Sequence, residues 1–335
     1  MHPAFSVIFL TTLIGLGQGL FLAIYTAQVY SSLRVIESAS NNTFYAVCSF
    51  IALLCLVAGL VASFFHLGHP TRAWRSAAMW RTSWLSREVI VLPLCMGLVL
   101  IYQLLHIFPA LNPPLLNVGA ISVNLSLLVG AVTTLMVFAL FVCTGMIYAC
   151  LKFLQEWRSW LTVVNFLLLG TMSGFMLATA ISLSLAPHLV NFYGGWTIIL
   201  LSFAFITRTA MLIRNQCLRS RSSLKTAIGI RHNQITQKSQ GAMGGSFNTR
   251  EFFHGKTTDF LRVVKISFVF MLFVFPNILL AVALYAEHLN LLVTGSIQVL
   301  LFAAIIIQYV GLIQERWFFF AEARHPQNLY YQTIS

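Results

Sequence analysis

Eight long apolar stretches, separated by short polar breaks, organise this sequence. They fall at about 5–30, 44–66, 88–107, 118–150, 160–185, 195–213, 266–286 and 291–314. A helix of roughly 20 residues crosses the hydrocarbon core of a bilayer, and each stretch is about that long or longer. The pattern predicts an all-α fold: a polytopic integral membrane protein with about eight transmembrane helices in a bundle. The stretch at 118–150 exceeds what a span needs, so it either tilts or projects from the bilayer. The first stretch follows Met1-His2-Pro3, without a basic leader, and is too long for a signal core. It is expected to stay as a span.

The polar breaks differ on the two sides. One side has only short connectors, Ser31–Thr43, Phe108–Asn117, Pro187–Gly194 and a turn near Glu287–Asn290, leaving no room for an external domain. The other carries one long insertion, 214–265, basic at first, Gly-rich around Gly244-Gly245, and then Phe247-Asn248-Thr249-Arg250-Glu251-Phe252-Phe253. The whole of 1–335 reads as a single membrane domain, with 214–265 as a cytoplasmic basic and Gly-rich loop. Phe247, Arg250 and Phe252 are candidate contacts for a cytoplasmic subunit, because aromatic and Arg anchors favour protein interfaces.

Composition sharpens this. Hydrophobic residues make up 59% of the chain and charged ones only 8%, far from a soluble domain. The net charge of +12 would suggest nucleic acid if position were ignored, but 19 of the 20 Lys and Arg residues fall on one side, leaving only Arg34 opposite. The positive-inside bias therefore places both termini and the 67–87 connector in the cytoplasm, in a bacterial inner membrane. No nucleic-acid role follows.

Several chemistries lose support. None of the six cysteines forms a C-x-x-C pair, so no zinc or iron–sulfur motif is present. The nine histidines sit in connectors or at stretch ends, which disfavours paired axial haem ligands. All eight carboxylates, Glu315 included, are read as lying in connectors or at span ends, against an ion-coupled transporter. No metal site is expected.

What remains is the connector at 64–88. It gathers four arginines, two histidines, three tryptophans and one carboxylate within 25 residues. A quinone offers carbonyl acceptors and its quinol hydroxyl donors; a neutral imidazole serves both and relays a proton near neutral pH. His66, at the end of the second stretch, is the first candidate. Glu88 would exchange protons with water, at a helix start capped by Ser86. Arg72 adds a cation beside the head group, while Arg75, Arg81 and Arg87 are candidate docking groups for an acidic partner. Trp74, Trp80 and Trp84 suit the interface. In the first stretch, Gly15-Leu16-Gly17-Gln18-Gly19 predicts close helix packing, with Gln18 as a second quinone hydrogen-bond candidate.

The run His66-Leu67-Gly68-His69-Pro70-Thr71-Arg72-Ala73, followed by Ser83-Trp84-Leu85-Ser86-Arg87-Glu88, resembles the membrane-anchor subunit family of dimethyl sulfoxide reductase. The eight-span layout and the Gly-rich first span with its Gln agree. The resemblance implies an anchor, itself non-catalytic, for a molybdopterin catalytic subunit and a four-cluster iron–sulfur subunit. It also implies exchange of electrons with a quinone or menaquinol at His66, and less directly at Glu88. The charge bias that puts His66 on the cytoplasmic side and the 214–265 insertion depart from the reductase anchor. Both are similar to the related subunit of quinone-linked, sulfite-oxidising complexes facing the cytoplasm. Two other readings stay open at this point: a reductase anchor oxidising menaquinol in anaerobic respiration, and a transporter for a sulfur compound.

Overall fold

The computed structural model describes residues 1–37, 42–118, 121–219, 223–232, 234–235, 254–289 and 291–326. The chain is a polytopic helical membrane protein whose described residues contain eight helical segments long and apolar enough to span a bilayer. They are α1 (Phe5–Ser32), α2 (Asn42–Phe64), α3 (Trp84–Ile107), α4 (Leu125–Ala149), α5 (Trp160–Leu185) and α6 (Val190–Gln216), then a seventh crossing and a final helix. A short helix α7 (Leu224–Ile228) follows α6. The seventh crossing comprises α8 (Thr258–Val269) and α9 (Phe275–His288), and the last helix is α10 (Thr294–Glu322).

α1 and α5 are the most enclosed helices, and glycine makes that possible. A Cβ on Gly174 of α5 would lie 1.9 Å from the Gly19 carbonyl carbon of α1, and one on Gly19 would lie 2.1 Å from the Gly170 oxygen. Between them, Gly17 turns the other way, where a Cβ would meet the Ala52 oxygen of α2 at 2.7 Å. The small-residue run read in the sequence thus packs α1 against two helices at once. In a bilayer, such close backbone contact supplies the dispersion that a hydrophobic driving force cannot.

The seventh crossing changes pitch midway. Phe270–Val274 winds as a π-helical turn just before Pro276, which has no N–H and would crowd the carbonyl of Leu272 in a regular helix. α10 uses that wide turn: a Cβ on Gly311 would sit 2.5 Å from the Leu272 nitrogen.

Several boundaries differ from the sequence reading, among them the seventh crossing, which begins at Thr258 rather than 266, and three others. Residues Pro114–Val118 (β1) and Ile121–Asn124 (β2) pair as an antiparallel hairpin before α4, so the helical part of the long fourth stretch begins only at Leu125. A short apolar run does not by itself separate strand from helix, and Pro113-Pro114 blocks a helix start there. α3 begins at Trp84, with Ser83 rather than Ser86 as its cap; the Ser83 hydroxyl accepts from the Ser86 amide at 3.3 Å. Last, α10 continues to Glu322, eight residues past the predicted end, carrying charged side chains into the bundle.

Both described ends of the chain meet on one face, the terminal side. There the Met1 amine donates to the Ala323 carbonyl at 2.8 Å, and Tyr148, Trp157, Phe166, Phe319 and Phe320 form one aromatic cluster. At the opposite side Tyr102 donates to Gln28 (2.7 Å), which donates to Ser126 (2.9 Å). His106 lies buried there between the rings of Tyr45 and Tyr102, whereas His188 and His288 are exposed.

Candidate functional site

The connector between α2 and α3 lies on the terminal side. Pro70–Ala77 forms a 3-10 turn that starts at Pro70, whose fixed φ suits a first turn, and it packs against α3. Each of three tryptophans carries a neighbouring arginine on its ring: Arg75 over Trp74, Arg81 over Trp80 and Arg87 over Trp84, the last at 4.2 Å. Arg87 also donates to the carbonyls of Trp80 (2.9 Å) and Arg81 (2.8 Å), clipping the connector onto the start of α3. Arg72, Arg75 and Arg81 remain exposed.

His66 follows the last turn of α2 and is exposed, flanked by the exposed rings of Phe64 and Phe65, the latter 82% open. Neighbouring atoms still desolvate its imidazole enough to lower its pKa from the ordinary 6.5. The ring is therefore neutral at pH 7, able to donate from one nitrogen and accept at the other.

Glu88 lies behind this connector, in the second turn of α3, buried. Its Oε1 accepts from the Thr144 hydroxyl of α4 at 2.5 Å. Thr144 in turn lines an internal cavity of about 10 Å³ with Thr11, Thr12, Gln18, Phe166 and Arg316. That volume suits about one water molecule and no ring. Gln18 donates to the Val137 carbonyl at 3.1 Å, so its amide also ties α1 to α4.

The four candidate quinone residues thus separate into two pairs. Gln18 and Glu88 are both buried: Gln18 lines the cavity, and Glu88 reaches it only through Thr144, which bonds the carboxylate and lines the same cavity. His66 and Arg72 occupy the exposed connector. Gly17 contacts α2 around Ala52–Leu56, and at 1.5 Å per residue His66 lies roughly 15 Å further along that axis. Phe247, Arg250 and Phe252 lie outside the described residues.

One group of charges is buried where none was expected. Glu315 of α10 bridges Arg208 of α6 at 2.7 Å and its own neighbour Arg316 at 3.2 Å, with all three side chains almost fully enclosed. The Arg316 guanidinium lies 3.8 Å from the Phe166 ring centroid, a cation–π contact that lowers the cost of burying it. The Arg208 contact is an ion pair without hydrogen-bond alignment: its Nε, Nη1 and Nη2 find no acceptor among the described residues. Nearby, Asn215 donates to Glu322 at 3.1 Å. The reading of every carboxylate as a connector or span-end group is therefore corrected. Arg208 carried the signal, as a lone cation inside the apolar run 195–213.

The sequence model of the DMSO reductase anchor subunit (DmsC) matches residues 1–321, nearly the whole chain. The protein belongs to the DmsC family. It is also 53% identical over 336 residues, covering all of both chains, to a sulfite dehydrogenase subunit of Allochromatium vinosum. These DmsC-family matches and the eight apolar helices make this chain a multi-pass membrane anchor subunit of an oxidoreductase. The resemblance read at 66–73 and 83–88 therefore extends across the chain, and the similarity to sulfite-oxidising complexes agrees with this relative.

Proposed function

We propose that this anchor exchanges electrons and protons between the quinone pool and an iron–sulfur partner at the His66 connector. The partner set is a four-cluster iron–sulfur subunit with a molybdopterin catalytic subunit, in a sulfite dehydrogenase-like complex facing the cytoplasm. The observation that carries this reading is an exposed imidazole just past the end of α2, flanked in the chain by the exposed rings of Phe64 and Phe65. Those rings offer an apolar seat for an aromatic head with an isoprenoid tail, and His66 offers it a hydrogen bond. A quinone accepts or supplies two electrons and two protons when bound. This chain contributes the positions: His66 to hold a proton at the head group, Arg72 to add positive charge, and Glu88 with Thr144 to connect toward the internal cavity. Gln18 lies too deep to touch a head group held at His66, so its part is to order that cavity. Arg75 and Arg81, exposed beside their tryptophans, suit an acidic docking surface, as would Phe247, Arg250 and Phe252.

The 53% identity to a sulfite dehydrogenase subunit supports the sulfite-type branch over a menaquinol-oxidising reductase anchor. The transporter reading loses its sequence counter-argument, because buried charge is present, but family membership argues against it. The cytoplasmic placement of both termini rests on the Lys and Arg bias.

The test is His66→Ala in the assembled complex, reading sulfite-dependent quinone reduction. Reduction should fall at least about tenfold, the low end of what a positioned acid–base group contributes being higher still. Co-purification of the subunits and sulfite oxidation with a soluble dye should persist. Unchanged quinone reduction would remove His66 from the site.

A further inference from the structure

The terminal side carries a second feature, to which no residue of the His66 connector contributes. Between the connector joining α4 to α5 and the end of α6 opens a cavity of about 350 Å³, lined by Gln155, Arg158, Arg214, Leu218 and Arg219. Three guanidinium-bearing residues and no carboxylate line it.

Arg214 is held in place by neutral groups alone. Its Nη1 donates to Asn215 Oδ1 (2.8 Å) and the Glu156 carbonyl (3.4 Å), and its Nη2 to the carbonyls of Gln155 (3.1 Å) and Arg158 (3.0 Å). Among the described residues, no carboxylate oxygen lies within 4.0 Å of the Arg158 or Arg214 side-chain nitrogens. The Glu156 carboxylate acts on the Met1 amine, and Glu322 is bonded to Asn215. Arg158 and Arg214 thus give the cavity fixed positive charge with no counter-ion among the described residues.

Its depth is fixed by Trp160, the first residue of α5, which is 76% exposed and belongs at the lipid headgroup level. Below it, Val164 on α5 and Ile199, Phe203, Ile206 and Ile213 on α6 are exposed apolar residues suited to acyl chains. A basic cavity between helix ends at a membrane interface, with an apolar face beneath, matches an anionic phospholipid.

We infer that this cavity is a binding site for the phosphate headgroup of an anionic phospholipid, with Arg158, Arg214 and Arg219 as its ligands. Guanidinium groups suit the task because their paired N–H donors match phosphate oxygens.

The full chain in nanodiscs of mixed phosphatidylglycerol and phosphatidylcholine tests this by native mass spectrometry. Arg158→Gln and Arg219→Gln are the variants of choice, since Arg214 also holds the connector. Each should lower retained phosphatidylglycerol roughly fivefold, the equivalent of one basic residue near a charged surface, with phosphatidylcholine unchanged. Arg158→Lys and Arg219→Lys should restore most of the retention, which a folding defect would not allow. Equal phosphatidylglycerol retention in parent and Gln variants would overturn the inference. So would release of that lipid by inorganic phosphate alone, marking a free-anion site. In the assembled complex, loss of a partner subunit from the Gln variants with lipid retention intact would likewise overturn it, in favour of a protein contact.

Discussion

The Thr144 hydroxyl donates to Glu88 across 2.5 Å, joining α4 to the second turn of α3 at the inner wall of the His66 connector. Glu88 is buried and has no arginine or lysine paired with it among the described residues. Thr144 is thus both the partner that satisfies this carboxyl and its link to the cavity that Gln18 and Arg316 also line.

Replacing Thr144 by Val keeps shape and removes the hydroxyl. The carboxyl of Glu88 then loses its donor inside the protein, which costs about 1–3 kcal/mol. Thermal melting of the purified variant should show this loss. The double variant Thr144→Val, Glu88→Leu should melt above the sum of the single effects, because the two groups act on one another. Strict additivity would mean that the contact contributes nothing.

Glu315 stands between two arginines, so its removal differs from the loss of an ordinary ion pair. With Glu315→Gln, Arg208 and Arg316 face each other buried without the intervening charge, and about 3–5 kcal/mol of stability should be lost. The triple replacement of Arg208, Glu315 and Arg316 by apolar residues of similar volume should be milder, since no charge is then left uncompensated. Detergent-solubilised melting curves of the two variants decide the order. A Glu315→Gln protein as stable as its parent would show that water already reaches the triad.

The layout of spans was legible because length and apolarity suffice for it, and Gly15, Gly17 and Gly19 announced close packing by spacing alone. The site was legible only where it is local. His66, Arg72 and the Trp–Arg pairs lie within one connector and could be read together. Thr144 is 56 residues from Glu88, and Glu315 is 107 residues from Arg208, so nothing short-range joins them. Truncating the last span at 314 hid Glu315 and Arg316. Reading Arg208 with the following basic loop hid the third member. The hairpin at 114–124 was missed for a different reason: its apolar residues carry the same signal as the span after it.

At the α1–α5 crossing, Gly174→Ala would place a methyl group 1.9 Å from the Gly19 carbonyl carbon, and neither backbone can give way without parting the helices. This variant should fail to accumulate as folded protein in membranes. Gly97→Ala on α3 is the matched control. A methyl group there meets nothing within 4 Å, and it gains about 1 kcal/mol of helix propensity. Size-exclusion profiles and membrane yields should separate the two variants. Similar yields would show that the α1–α5 contact is looser than its geometry.

The His66 imidazole has its pKa lowered from 6.5 by desolvation, which fixes the sign of one pH effect. Between the folded value and 6.5 the unfolded chain binds more protons at this position than the folded one, so stability rises with pH across that window. The contribution is fully present above pH 6.5 and is lost as pH falls through the folded value. Turnover in the quinol-oxidising direction should follow the same sign in the acid limb, since a protonated imidazole has no acceptor nitrogen left for a quinol hydroxyl. The parent complex should therefore lose quinol-oxidising activity only at a pH below the ordinary histidine value of 6.5, because the folded value is lowered. His66→Gln should flatten that limb while dye-linked activity keeps its own profile. An acid limb unchanged in His66→Gln would assign the titration to another group and leave His66 without a proton to move.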